Sequence, residues 1–135
     1  MGVFVGDVEL TPLTDDAGRL WKVLRPFSYV SGYPDHAQVD VPAGETTDLA
    51  STPRWLWVFL PPEGDWTDAS VVHDTAYTQQ KLLRLRCDQI LREAMIDRGT
   101  GKITAAIIYA GVRVGGWVAW NAHTRQNLLN GKTGG

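Results

Sequence analysis

The sequence predicts an α+β fold, with a small N-terminal antiparallel sheet packed on a C-terminal three-helix layer in a single domain. Three observations carry this. Residues 1 to about 48 alternate apolar and polar side chains and turn often. Residues 66 to 122 carry helical periodicity with few breakers. Neither an internal repeat nor a separating linker divides the 135 residues, a length suited to one core without staples.

The elements follow in order. Leu20 to Leu24 and Phe27 to Val30 read as strand around Pro26, which places its strand at an edge or a bulge because proline has no N–H to give a ladder. Gly32-Tyr33-Pro34-Asp35 is a turn. Ala37-Gln38-Val39-Asp40-Val41 alternates strictly, as a half-buried strand does, and Pro42-Ala43-Gly44 ends it. Residues 49 to 65 form a linker and plug: Ser51 or Thr52 can cap a short helix with Pro53 in its first turn, and Trp55 to Leu60 is apolar throughout. Asp65 or Thr67 can cap a helix running to about Gln80. A second helix runs from about Leu83 to Arg98, with Leu83, Cys87, Ile90, Leu91 and Ala94 on one face, and Gly99-Thr100-Gly101 stops it. A third covers about Ile103 to Ala122 and is apolar nearly all round. Such a helix is either a central core element or an interfacial surface. Its length approaches a membrane span, but Arg113 near its middle and three glycines argue against spanning. The single domain thus covers 1–129, and 130–135 reads as a disordered tail.

Composition narrows the function classes. A net charge of −2 without a Lys/Arg run argues against nucleic-acid binding. One cysteine, Cys87, allows no internal disulfide. Met1-Gly2-Val3-Phe4 lacks the basic region and long apolar run of a signal peptide, so synthesis in a cytoplasm without classical export is expected.

The chemistry concentrates in Val72-His73-Asp74-Thr75-Ala76-Tyr77 and in Asp88. A buried helix needs none of these polar groups, since each must find a partner. His73 and Tyr77, four apart, share a helix face, whereas Asp74 is turned by about 100°. His73 has the residue type of a water-activating base. Asp88 can fix its imidazole if the two helices pack antiparallel, and Tyr77 can hydrogen-bond that carboxylate. Asp74 would hold a hard cation or a partner residue. The plain alternative is a structural clasp, with Asp48 as a turn residue and Arg54 paired to a carboxylate.

Residues 68–77 and 87–91 resemble the two catalytic helices of secretory phospholipase A-two, most nearly the disulfide-free form of parvovirus capsids. The resemblance implies His73 as base, Asp88 as its orienting partner, Tyr77 as support and Asp74 as calcium ligand. The glycine-rich calcium loop of that family has no counterpart here, because Gly64 is the only glycine between Gly44 and Gly99, so Thr47-Asp48 would supply substitute oxygens to a calcium held by Asp74. A second resemblance covers about residues 10 to 120. Val41 to Gly44, Thr47 to Arg54, the Trp-rich run to Pro62, His73-Asp74-x-x-Tyr77 and Asp88 to Met95 together are similar to an uncharacterised domain of tailed bacteriophages and prophages. It implies a phage context and brings no established reaction, so the expectation is a phage accessory protein associated with a virion or tail, with other virion subunits as partners and, from the phospholipase resemblance, a membrane lipid ester as substrate. A non-catalytic virion component is the alternative.

Overall fold

The computed structural model describes residues 2–12, 21–47 and 66–129. The predicted plug at 49–65, the caps at Ser51, Thr52 and Asp65, Asp48, Arg54 and the tail 130–135 lie outside the described residues. The fold is α+β, with strands first and helices after.

Among the described residues six short strands form two antiparallel sheets rather than the one expected. Strands β1 (Val3–Val5), β4 (Phe27–Val30) and β5 (Gln38–Val41) make one sheet with β4 central. Strands β2 (Leu10–Pro12), β3 (Trp21–Val23) and β6 (Thr46–Thr47) make the other with β3 central. The reason is Pro26. It falls between β3 and β4, where the chain crosses from one sheet to the other. Its missing N–H therefore costs no ladder bond, and β4 is a central strand, not the edge or bulge expected. Register then sets the buried face: Phe27 opposes Val41 and Tyr29 opposes Val39, and all four point into the core. Phe4, opposite Tyr29 on β1, meets its ring edge-on at 4.9 Å between centroids. Gly44, at φ 88°, turns the chain between β5 and β6 in a conformation that side chains rarely adopt.

The helices are α1 (Trp66–Gln79), α2 (Arg84–Asp97) and α3 (Lys102–Leu129). Thr67 lies inside α1, so it is not the cap. The four residues 80–83 join α1 to α2, with Gln80 at φ 52°. Leu83 departs from the expected apolar face: it is the residue before the first turn of α2, extended in backbone, and 79% exposed. Cys87, Ile90, Leu91 and Ala94 are buried as the spacing requires. Gly99, at φ 97°, ends α2 in a Schellman closure, with Thr100 N donating to Met95 O at 2.9 Å and Gly99 N to Ile96 O at 3.0 Å. Helix α3 continues seven residues past the expected end at Ala122, where the end of α1 and the residue after it supply partners. Asn127 Nδ2 donates to Thr78 O, Thr124 Oγ1 to Gln80 Oε1, and Gln80 Nε2 to Trp120 O.

Helix α2 divides its faces between the two halves of the molecule. One face holds the sheet through polar anchors. Glu93 accepts Ser31 Oγ at 2.7 Å and Gly32 N at 2.9 Å. Asp97 accepts Gly2 N and the Tyr29 hydroxyl. Arg86 forks onto both Asp35 oxygens and stacks over the Tyr33 ring at 4.5 Å. The opposite face turns Asp88 toward α1 and α3.

Candidate functional site

The three helices meet at Asp88. It is four residues into α2, where the helix faces both neighbours, and its side chain is 0% exposed. A carboxylate there must be fully paired, because an uncompensated buried charge costs several kcal/mol, roughly. Helix α1 supplies two donors one turn apart. His73 Nε2 lies 2.7 Å from Asp88 Oδ1, and the Tyr77 hydroxyl donates to the same oxygen at 2.6 Å. The four-residue spacing makes this possible, since it stacks the two rings on one face at 4.3 Å between centroids. Helix α3 supplies Arg113, whose Nη1 donates to Oδ2 at 2.8 Å. Arg84, one turn back on α2, stands 3.6 Å from Oδ2 and binds the carbonyls of Val112 and Arg113 at 3.2 Å each.

Charge balance follows from that geometry. Burial alone pushes the Asp88 carboxyl up. The hydrogen bonds from His73, Tyr77 and Arg113 outweigh it, and the net shift is downward. Asp88 is therefore a stable anion at neutral pH. The Tyr77 hydroxyl is driven well above its ordinary range by burial and by the adjacent carboxylate, so it stays a donor. Nε2 is the ring nitrogen that faces Asp88, and Nδ1 is turned away from that carboxylate.

Two further residues shape the centre. A Cβ placed on Gly116 of α3 would stand 2.5 Å from the Tyr77 hydroxyl, so only glycine lets α3 approach that oxygen. Trp120, one turn on, meets the Tyr77 ring edge-on at 5.2 Å.

The structure thus brings together His73, Tyr77 and Asp88. Asp74 does not join them. It lies half-buried on the neighbouring face of α1, where its carbonyl accepts Thr78 Oγ1. Among the described residues no group of three His, Cys, Asp or Glu side chains is arranged to hold a metal, and Asp48 is outside them. Arg113, Arg84 and Gly116 were missed as members of the centre. Two signals were available: Arg84 precedes Asp88 by four, the spacing of a helical ion pair, and Arg113 is the one charge between Lys102 and Arg125 in an otherwise apolar and neutral helix.

Fold and site together define a small α+β protein organised around a buried His–Asp–Tyr–Arg centre at a three-helix junction. The chain belongs to the DUF1353 family, a family of proteins of unknown function, whose pattern matches residues 21–112. The matched span runs from β3 into α3 and includes His73, Tyr77, Arg84 and Asp88. No curated protein and no solved structure gives a significant match.

Proposed function

We propose that the chain is a bacteriophage accessory protein, made in the host cytoplasm and assembled into the virion or tail, whose His73–Asp88 dyad hydrolyses lipid esters as phospholipase A-two does. One observation carries the chemistry. The 2.7 Å contact at Nε2 and the tyrosine four residues on, bonded to the same carboxylate oxygen, are the pairing that the phospholipase resemblance calls for. In this reading His73 Nδ1 takes a proton from water as the water oxygen attacks the ester carbonyl. The imidazolium that forms is stabilised by Asp88, which Tyr77 and Arg113 hold in place, and the proton is then passed to the leaving alkoxide. Calcium would supply stabilisation of the developing oxyanion, yet it takes about six to eight oxygens. Asp74 would give it one carboxylate, and the described residues do not complete such a site, so no step is assigned to the metal. The phage setting rests on the ordered motifs from Val41 to Met95.

Burial supports a second reading. His73 is 1% exposed and Asp88 0%, as in a clasp that only fastens helices. The two separate in one experiment. Purified protein is incubated with phosphatidylglycerol and phosphatidylcholine vesicles, with calcium or chelator, and released fatty acid is measured by mass spectrometry. Hydrolysis by wild type that disappears in a folded His73→Asn variant supports the enzyme. No release under any condition, with His73→Asn lowering the melting temperature, leaves the clasp.

A further inference from the structure

Two guanidiniums face one carboxylate at the three-helix junction. Arg113 Nη1 donates to Asp88 Oδ2 at 2.8 Å, and Arg84 Nη1 stands 3.6 Å from the same oxygen. Among the described residues neither arginine has another carboxylate in ion-pair range. The three groups together leave one positive charge over. Fastening the helices does not call for it. Arg84, four residues before Asp88 on the same helix, is enough to balance the anion. The other cation sits in the middle of α3, where no other Asp, Glu, Lys or Arg stands between Lys102 and Arg125.

The pair is held in place and open on one side. Arg84 donates to the carbonyls of Val112 and Arg113 at 3.2 Å each, so it is anchored to the backbone of the residue that bears the other guanidinium. Arg113 is fixed by its bond to Asp88 and gives no other hydrogen bond from its fork of N–H donors among the described residues. Asp88 is 0% exposed, whereas Arg84 and Arg113 are 20% and 31% exposed. The cations therefore reach solvent where the carboxylate does not. Two guanidiniums this close to one oxygen are close enough to share a second anion. Phosphate suits them, because its oxygens accept forked N–H bonds and its charge answers the surplus.

The carboxylate that gathers the arginines also carries the base. His73 Nε2 lies 2.7 Å from Oδ1, so the imidazole and the guanidiniums stand on opposite oxygens of Asp88. In a glycerophospholipid the phosphate and the nearer acyl ester sit on adjacent glycerol carbons, a similar span. We infer that Arg84 and Arg113 form a phosphate-binding site, which holds the phosphate of a glycerophospholipid while the neighbouring ester reaches His73. The placing of the ester rests on the hydrolase reading, and the phosphate site does not.

The test is heteronuclear NMR of the isotope-labelled full chain, following the side-chain N–H signals of Arg84 and Arg113. The probes are inorganic phosphate, glycerol phosphate and a short-chain diether phosphatidylcholine, each compared with chloride at equal ionic strength. Both arginine signals should shift with every probe and stay in place with chloride. Arg84→Lys and Arg113→Lys, each with unchanged helical circular dichroism, should bind about tenfold more weakly, as the loss of one hydrogen bond to a charged group requires. Arg25→Gln, which removes an exposed guanidinium between β3 and β4, should bind as wild type does. Tighter binding of the diether lipid than of inorganic phosphate supports the lipid as ligand, and the reverse order overturns that assignment in favour of a soluble phosphate. No shift with any probe overturns the site. So does full binding by both lysine variants, and so does an equal loss in Arg25→Gln. The diether lipid has no ester to cleave. Phosphate binding by a protein that releases no fatty acid from vesicles would therefore sink the enzyme and keep the site, and hydrolysis without a phosphate shift would do the opposite.

Discussion

Replacing Gly116 with alanine tests the closeness of the three-helix junction. In an exposed helix interior the change would help, since alanine is favoured over glycine by about 1 kcal/mol. Here the added methyl would stand 2.5 Å from the Tyr77 hydroxyl. That hydroxyl cannot retreat without giving up its 2.6 Å bond to Asp88. Overpacking costs about 1–3 kcal/mol, and losing a hydrogen bond to a charged group about 1.5–3 kcal/mol. The two are alternative ways of relieving one clash and do not add. Net destabilisation of about 1–2 kcal/mol remains after the helix gain. In a Tyr77→Phe background the clashing oxygen is gone, and the nearest ring carbon lies 3.4 Å from the new methyl, an ordinary contact. There Gly116→Ala should stabilise by about 0.5–1 kcal/mol. The cycle thus predicts a coupling of about 2 kcal/mol between positions 116 and 77. Urea unfolding of the four proteins, followed by helical circular dichroism, measures it directly. Equal losses in both backgrounds, or a more stable Gly116→Ala in the wild type, would refute the close approach.

Asp88→Asn should destabilise by about 3 kcal/mol, because the guanidiniums of Arg84 and Arg113 would lose their shared anion while only partly exposed. The Asp88 carboxyl titrates below its ordinary range in the folded state, so its stabilisation is complete above the unfolded pKa of about 3.9 and is lost as pH falls through the lowered folded value. Melting temperature should drop on acidification in wild type and drop less in Asp88→Asn, with the remaining fall due to Asp35, held at about 2 by Arg86, and to Asp40. Burial pushes the Cys87 thiol up to about 12, so iodoacetamide should label it only in denaturant, as read by intact mass. Arg86→Lys removes the forked bond to Asp35 and the stack on Tyr33. Amide exchange at His36 and Ala37 should then accelerate, and unchanged rates would show that the turn holds itself.

Local pattern made part of this molecule legible. The strict alternation at 37–41, the four-residue step from His73 to Tyr77 and the glycine after α2 act through neighbours in sequence, and period and spacing express them. Pairing His73 with Asp88 needed one further inference, that a short link between two helices brings them back side by side. Features set by distant partners were not legible. Arg113 finds its carboxylate 25 residues away. Gly116 answers to a hydroxyl on α1, and the last turns of α3 are held by Thr78 and Gln80. The division into two sheets turns on where Pro26 falls relative to pairings that its neighbours do not encode. Asp74 follows the same local rule: its place next to His73 in sequence turns it by about 100° onto a different helix face, as the helical period requires.

The sharing of the Asp88 carboxylate by donors from α1 and α3, with Arg84 of α2 beside it, bears on the order of assembly. The α1–α2 hairpin can bring His73 and Tyr77 to Asp88 by a local closure, but Arg113 arrives only when α3 docks. Until then a buried anion lacks one of its strongest partners, which favours a rate-limiting state where Asp88 is still hydrated. Contacts completed after that barrier govern how fast the native state is lost and leave the speed of its formation nearly unchanged. The Asp88–Arg113 bond should act as such a lock, keeping the helical layer closed for longer without helping it to close.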